Sequence, residues 1–105
     1  MAIEARSTAL DSLARVGRAL ADPNRCRILL ELLEGPGYPT ELADRLDLSK
    51  GNTSNHLTCL RDCGLVIAES EGRRVRYELA DPGLADGLRA LMGVHLSVAD
   101  PDCRR

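Results

Sequence analysis

Two cysteines, Cys59 and Cys63, lie four residues apart in a stretch with helical character. Residues at this spacing share one face of an α-helix, where their Cβ atoms are about 5–6 Å apart. Two thiolates on one metal ion, each about 2.3 Å from it, lie about 4 Å apart, and a choice of rotamers closes that difference. Thiolates prefer soft or borderline ions. The pair therefore predicts two ligands of a metal site that needs at least one more.

Each histidine or cysteine considered for such a site also has an explanation without a metal. Packing could account for Cys59 and Cys63, although Cys59 lies about 100° from the apolar stripe of its helix. His56 shares the face of the thiols, yet a role in helix packing or phosphate contact is favoured over ligation. Cys26 lies on an apolar face of an earlier helix and is interpreted as a small buried hydrophobe. Cys103, taken alone, would be an incidental tail thiol.

Capping residues and prolines divide the first part of the chain into four predicted helices. The predicted starts are Ser7, Asp22-Pro23, Pro39 and Ser49. The fourth helix runs from about residue 50 to residue 62 and turns Thr53, Leu57 and Leu60 inward. It follows the third helix after a tight turn, which is the arrangement of a helix-turn-helix with residues 50–62 as the recognition helix.

A β-hairpin is predicted to follow over residues 65–79, with its turn at residues 69–72 and an arginine-rich return strand from Arg73. Asp81-Pro82 starts a last helix, expected over about residues 82–98, before a tail of residues 99–105. The fold class is therefore mainly α with one β-hairpin, a winged helix-turn-helix in a single domain of residues 1–105. The terminal helices carry apolar faces that so small a core leaves uncovered, which predicts a homodimer through the N- and C-terminal helices.

Charge is unevenly distributed along the 105 residues, whose net charge is −2. Residues 50–76 carry five basic and three acidic side chains, whereas six basic and eight acidic precede them and three basic and five acidic follow. The only positive segment thus coincides with the recognition helix and hairpin, which favours DNA contact there. The candidate DNA-binding residues are Lys50, Asn52, Ser54, Asn55, His56, Arg73, Arg74 and Arg76. A dimer would read an inverted repeat in double-stranded DNA.

Composition argues against several other functions. The chain has two tyrosines and no other aromatic residue, so it lacks the platforms on which single-stranded nucleic acids stack. No run of about 20 apolar residues and no signal peptide is recognisable, which predicts a cytoplasmic protein without a membrane partner. The spacing Cys-x-x-x-Cys is not that of a redox Cys-x-x-Cys and no acid/base pair accompanies it, so an enzyme is not expected.

Five segments together resemble the ArsR/SmtB family of repressors: Ala19–Leu29, Glu41–Ala43, Ser54–Leu57, Leu60–Val66 and Glu71–Tyr77. The resemblance extends over roughly residues 10 to 80, and the combination is specific. It implies a homodimeric winged helix that represses an operator and releases it when a metal binds. Because the recognition helix also carries Cys59 and Cys63, metal binding is expected to conflict with DNA binding on that helix.

The ligand set follows from the same resemblance. Many members carry a Cys-x-Cys pair in the third helix, where this chain reads Gly37-Tyr38-Pro39-Thr40, and the last-helix ligands of others are not matched by Asp86 and His95. What remains is similar to the set of cadmium- and lead-sensing members: Cys59, Cys63 and the tail residue Cys103. The resemblance therefore implies cadmium(II) or lead(II) as the effector, with zinc less favoured, and a metal-efflux gene as the target.

An alternative function uses the same fold with a different pair of thiols. A repressor that senses thiol oxidation or persulfides would use Cys26 in the second helix and Cys103 beyond the last. A disulfide between these two residues after mild oxidation, without tight cadmium binding, would favour this alternative.

Overall fold

The computed structural model describes residues 3–99, with side chains from residue 7 onward. Four helices come first: α1 (Ile3–Leu20), α2 (Pro23–Leu33), α3 (Pro39–Leu46) and α4 (Lys50–Asp62). The strands β1 (Val66–Glu71) and β2 (Arg74–Leu79) form an antiparallel hairpin, and α5 (Pro82–Met92) follows. This order confirms the predicted fold class, mainly α with one β-hairpin in a winged helix-turn-helix.

The predicted caps explain where three of these helices begin. Asp22 Oδ1 accepts hydrogen bonds from the N–H groups of Asn24 (2.8 Å) and Arg25 (3.2 Å), and Pro23 takes the first position of α2. Ser49 Oγ accepts from the N–H of Asn52 at 3.0 Å at the start of α4. Asp81 accepts from the N–H of Gly83 at 2.6 Å at the start of α5. These bonds satisfy N–H groups that a helix leaves unpaired.

The Asp22 cap gives a prediction about stability and pH. Burial raises the pKa of the Asp22 carboxyl, but the N–H groups of Arg25 and Asn24 and the charges of His56 and Arg25 outweigh it, so the pKa lies below its ordinary 3.8. The ionised Asp22 carboxylate therefore stabilises the folded protein fully above pH 3.8. This contribution is lost as the pH falls through the lower pKa that Asp22 has in the folded protein. Asp22→Ala should therefore lower the free energy of unfolding by about 1 kcal/mol at neutral pH.

Urea denaturation of wild type, Asp22→Ala and Asp22→Asn across the acid range checks this expectation. The difference between wild type and the alanine variant should shrink as the pH falls below 3.8. The asparagine variant keeps a capping oxygen that does not titrate, so its difference from the alanine variant should stay constant with pH. A wild-type advantage that persists unchanged into strong acid would contradict the assignment.

The core lies where α2, α3 and α4 meet the hairpin. Thr53, Leu57 and Leu60 are fully buried on α4, which confirms the predicted inward stripe. Leu57 and Leu60 pack with Leu29 of α2 and Val66 of β1 in one cluster. Thr53 is polar, and its Oγ1 donates to the Ser49 carbonyl oxygen at 2.9 Å, so its burial leaves no donor unpaired. The core thereby fixes which face of α4 is left for function.

A short third segment of the sheet was not predicted. Gly37, in the loop before α3, pairs with Tyr77 of β2 through two hydrogen bonds of 2.8 Å. A Cβ at Gly37 would lie 3.1 Å from Leu32 Cδ2 and 3.2 Å from both Leu42 methyl groups, so any larger residue would displace these side chains by a few tenths of an ångström. This bridge ties the start of the helix-turn-helix to the hairpin.

Three predicted boundaries are wrong. Helix α1 begins at Ile3, so Ser7 lies inside it rather than capping it, because the helix-forming residues before Ser7 contain no break. Helix α5 ends at Met92 rather than near residue 98, because the chain turns at Gly93, whose N–H bonds to the Ala90 carbonyl at 3.1 Å. In the hairpin, residues 69–71 belong to β1 and Arg73 to the turn, which tightens around Gly72 at φ 62°.

Apolar side chains remain exposed along α1 and α5. Leu13 is 69% exposed, Leu91 56% and Met92 63%. Two shallow grooves run along these helices, one between α1 and α5 and one between α2 and α5, and Leu91 borders both. Exposed apolar surface of this extent is typical of a protein interface. No helix within residues 3–99 combines the length and apolar character needed to cross a membrane.

Candidate nucleic-acid interface and thiol pair

The helix-turn-helix is formed by α3, a turn and α4. The turn begins at Asp47, whose left-handed backbone (φ 55°) reverses the chain after α3. Arg27 of α2 donates from Nη2 to the Leu46 carbonyl at 2.8 Å, which holds the end of α3 against α2. The predicted base-reading residues of α4 are exposed: Lys50, Asn52, Ser54 and Asn55. Their side chains are therefore available to a DNA groove.

His56 stands apart from these four residues. It is half-buried rather than exposed, and its charge is close enough to Asp22 to lower the pKa of that carboxyl. It therefore lies on the side of α4 that approaches the start of α2. This position agrees with the helix-packing role that the sequence favoured over metal ligation.

One exposed residue of α4 was missed by the sequence reasoning. Thr58 follows Ser54 by four residues, so it lies one turn along on the same face, and it is exposed. Its hydroxyl and methyl groups can contact base edges in a major groove. Helical spacing from Ser54 was the available signal, since the cap and stripe had already fixed the orientation of the helix.

The three candidate arginines of the hairpin have different surroundings. Arg73 is exposed at the turn and, within residues 7–99, belongs to no ion pair. Arg74 pairs with Glu41 of α3 at 2.7 Å. Arg76 pairs with Glu69 at 2.8 Å and Glu71 at 3.1 Å, and the hydrogen bond that it donates to Glu69 raises the pKa of its guanidinium. Of these three arginines, only Arg73 thus presents a guanidinium without a carboxylate partner in the described part of the chain.

The cysteine pair lies at the end of α4. Cys63 is the C-terminal cap, and its N–H donates to the Cys59 carbonyl at 3.0 Å, so the two residues keep the i, i+4 geometry of a helix. Gly64 follows with a positive φ of 88°, which ends the helix and was predicted from its position. Both thiols are free and half-buried. The spacing that two ligands of one metal require is thereby set by the backbone.

The two thiols do not lie on the face of α4 that carries Ser54 and Thr58. Cys63 packs against the edge of the core and borders a pocket with Ser12 and Arg15 of α1 and Asp81 before α5. Cys59, in contrast, follows the exposed residue Asn55 by four positions and lies one turn along from it on α4, so the expected conflict with DNA concerns Cys59 directly. A metal ion or other group bound at Cys63 would lie next to α1 and the start of α5.

The pair supplies two donors, and residues 3–99 add no third. Within residues 3–99, no three His, Cys, Asp or Glu side chains come together in a group able to hold a metal ion, so His56 does not complete such a set there. Cys103 lies outside the described residues. Two free thiols at helical spacing still fit a soft metal ion, provided that a further donor comes from elsewhere.

Cys26 has a different environment from the pair. Its Sγ donates to the Leu20 carbonyl at 3.2 Å, and it borders the apolar groove between α2 and α5. It is half-buried, which differs from the full burial expected of a core residue. The hydrogen bond satisfies its S–H group in that position.

Fold and surface together define a winged helix-turn-helix DNA-binding protein. Residues 22–68 match the family described as "Bacterial regulatory protein, arsR family". The chain is 59% identical over 93 residues to the HTH-type transcriptional regulator CmtR of Mycobacterium tuberculosis, covering 88% of this chain and 79% of that protein. The chain therefore belongs to the ArsR family, and the predicted resemblance is confirmed.

Solved structures agree with this assignment. The NMR structure of the cadmium metal-sensor CmtR from Mycobacterium tuberculosis matches with a TM-score of 0.70 at 59% identity, over 88% of this chain and 95% of that chain. A homodimeric winged helix-turn-helix DNA-binding domain from Mycobacterium bovis, described as a possible ArsR-family regulator, matches with a TM-score of 0.76 at 32% identity, over 83% and 81% of the chains. The family consists of transcriptional regulators, so the expectation that the chain is not an enzyme is confirmed.

Proposed function

We propose that the chain is a cytoplasmic, metal-responsive repressor whose metal-free dimer binds operator DNA and releases it when cadmium(II) or lead(II) binds. The observation that carries this proposal is the pair Cys59 and Cys63, two free thiols held one helical turn apart on the recognition helix. Support also comes from the cadmium sensor that is 59% identical to this chain. Release would expose the promoter of a metal-efflux gene.

Cys59, Cys63 and Cys103 would together hold the ion. Three thiolates favour a large thiophilic ion over zinc, which usually takes four ligands. Helix α5 ends at Met92, eleven positions before Cys103, and a fully extended chain of eleven residues spans up to about 40 Å. The whole described structure measures 43 × 38 × 21 Å. We propose that Cys103 completes the pair either of its own protomer or of its partner in the dimer.

Metal binding would then cause the release of DNA by acting on the terminal helices α1 and α5. With Cys103 at the pair, the tail lies beside Ser12, Arg15 and Asp81, which border the same pocket as Cys63. Those residues belong to α1 and to the start of α5, the helices with uncovered apolar faces. A tail fixed there would shift α4 relative to the dimer interface, and thus one recognition helix relative to the other. Allosteric coupling of about 1–3 kcal/mol suffices for a 5- to 150-fold loss of affinity.

The partner in this proposal is double-stranded DNA with an inverted repeat. Two recognition helices related by a two-fold axis would read half-sites at least one helical turn apart. Lys50, Asn52, Ser54 and Asn55 would contact bases and phosphates, since all four are exposed on α4. Asparagine can pair with adenine through two hydrogen bonds.

Titration of the reduced full-length protein with cadmium, lead and zinc tests the proposal. Thiolate-to-metal charge-transfer absorption should rise to saturation at one cadmium or lead ion per protomer. The affinity of the protein for a DNA duplex taken from upstream of its own gene should fall about 5- to 150-fold when the metal is added. Zinc should bind more weakly than cadmium. Saturating cadmium that leaves DNA affinity unchanged would refute the proposed release.

A further inference from the structure

A network of charged and aromatic side chains covers the outer face of the hairpin and reaches α3. The guanidinium of Arg74 bonds to the Glu41 carboxylate at 2.7 Å and lies 3.6 Å from the centre of the Tyr38 ring. The Tyr38 hydroxyl donates to Glu71 at 2.7 Å, and Glu71 also pairs with Arg76. These contacts join side chains 33 positions apart in sequence.

The register of the hairpin explains why these side chains share one face. Glu71 pairs with Arg74 and Glu69 with Arg76, and side chains at alternate positions of a strand point the same way. Val75 and Tyr77 alternate with the arginines and point to the core. Two of the three wing arginines therefore face carboxylates of their own chain.

The backbone reinforces the same connection. Gly37 pairs with Tyr77 through two hydrogen bonds of 2.8 Å, and Tyr38 is the next residue. An isolated exposed ion pair contributes little to stability, whereas a network that includes a cation–π contact contributes more than a single pair. The network and the bridge therefore both connect the hairpin to the start of α3.

We propose that Arg74 is a positioning residue that holds the wing against α3 through Glu41 and Tyr38, and that Arg73 is the wing residue that contacts a DNA phosphate. This inference rests on the proposed DNA binding. It divides the three candidate arginines by role, since Arg76 is likewise held by Glu69 and Glu71. Arg73 lies in the turn, at the opposite end of the hairpin from the paired residues Val66 and Leu79.

The substitution Glu41→Gln separates this proposal from simple electrostatics. Removing a negative charge near DNA ordinarily strengthens binding, because phosphates are repelled less. If Glu41 holds Arg74 in place, the same change should instead weaken binding about two- to five-fold, the scale of one broken ion pair. Asp44→Asn, on the same helix and also exposed, is the matched control and should leave binding unchanged or tighten it.

The salt dependence of binding separates Arg73 from Arg74. The probe is a mixed-sequence duplex long enough for two half-sites, and affinity is measured over a range of salt concentrations. Arg73→Gln should reduce the slope of log K against log salt by about 0.9 for each phosphate that the variant no longer neutralises. Arg74→Gln should weaken binding as Glu41→Gln does, with the slope unchanged. A tightened or unchanged affinity for Glu41→Gln, or an unchanged slope for Arg73→Gln, overturns the proposal.

Hydrogen exchange without DNA keeps the two proposals distinguishable. Glu41→Gln and Arg74→Gln should each speed amide exchange in β1 and β2 of the DNA-free dimer, while Arg73→Gln should not. If the wild-type protein binds no duplex, the proposed function is wrong. Faster exchange in Glu41→Gln and Arg74→Gln would still support the positioning role of Arg74. Unchanged exchange in both would overturn it.

Discussion

Replacing Cys59 or Cys63 by serine should give a protein that still binds DNA but no longer releases it when cadmium is added. Serine is close to cysteine in size and keeps its helical geometry, and Cys63 borders the pocket near α1 rather than the face of Ser54 and Thr58. Basal DNA affinity should therefore change little. The 5- to 150-fold loss of affinity expected for the wild type with cadmium should fall to about two-fold or less.

Cys26→Ser provides the matched control for this experiment. Its thiol is also free and half-buried, but it borders the groove between α2 and α5 rather than the pocket near Cys63. That variant should respond to cadmium as the wild type does. Cadmium-driven release that survives in both Cys59→Ser and Cys63→Ser would exclude the pair as the metal site, and loss of the response in Cys26→Ser would favour the alternative with Cys26 and Cys103.

Leu91→Lys should convert the dimer to a monomer and lower DNA affinity by about 100-fold or more. Leu91 is 56% exposed in the single chain and borders both apolar grooves of α5. A lysine there would place a charge at the centre of the surface that we propose to be the dimer interface. Two linked recognition helices gain about 10²- to 10⁴-fold over one from effective concentration, and a monomer forfeits that gain.

Light scattering measures the oligomeric state, and circular dichroism shows whether the helices persist. Because Leu91 is exposed in the single chain, the monomer should keep its helical content. Ile67→Lys is the control: Ile67 is 46% exposed on the hairpin opposite Glu78, away from both grooves, and its variant should remain dimeric. A Leu91→Lys protein that stays dimeric at the wild-type concentration range would place the interface elsewhere.

Local signals in the sequence predicted most of the helix-turn-helix. Asp22, Ser49 and Asp81 act through N–H groups two or three residues away, so a cap can be recognised without knowing the rest of the fold. The inward stripe of α4 likewise follows from spacing alone. The end of α5 was misplaced because Asp100-Pro101 is a strong stop signal, whereas the turn at Gly93 comes earlier and is weaker in sequence.

Contacts between distant residues could not be predicted in the same way. The bridge from Gly37 to Tyr77 has no local signature, because a single glycine before a proline-started helix is an ordinary loop. The partners of Arg74 are Glu41 and Tyr38, both more than 30 positions earlier in the chain. An arginine-rich strand thus suggested a DNA-binding surface, although two of its arginines are engaged within the protein.

The hydrogen bond from the Cys63 N–H to the Cys59 carbonyl has a consequence for oxidation. A disulfide requires Cβ atoms about 3.5–4.5 Å apart, whereas residues four apart on an intact helix hold theirs about 5–6 Å apart. Joining these two sulfurs directly would therefore strain or unwind the last turn of α4 and lengthen that 3.0 Å bond. Mild oxidation should consequently not join Cys59 to Cys63 while α4 stays intact.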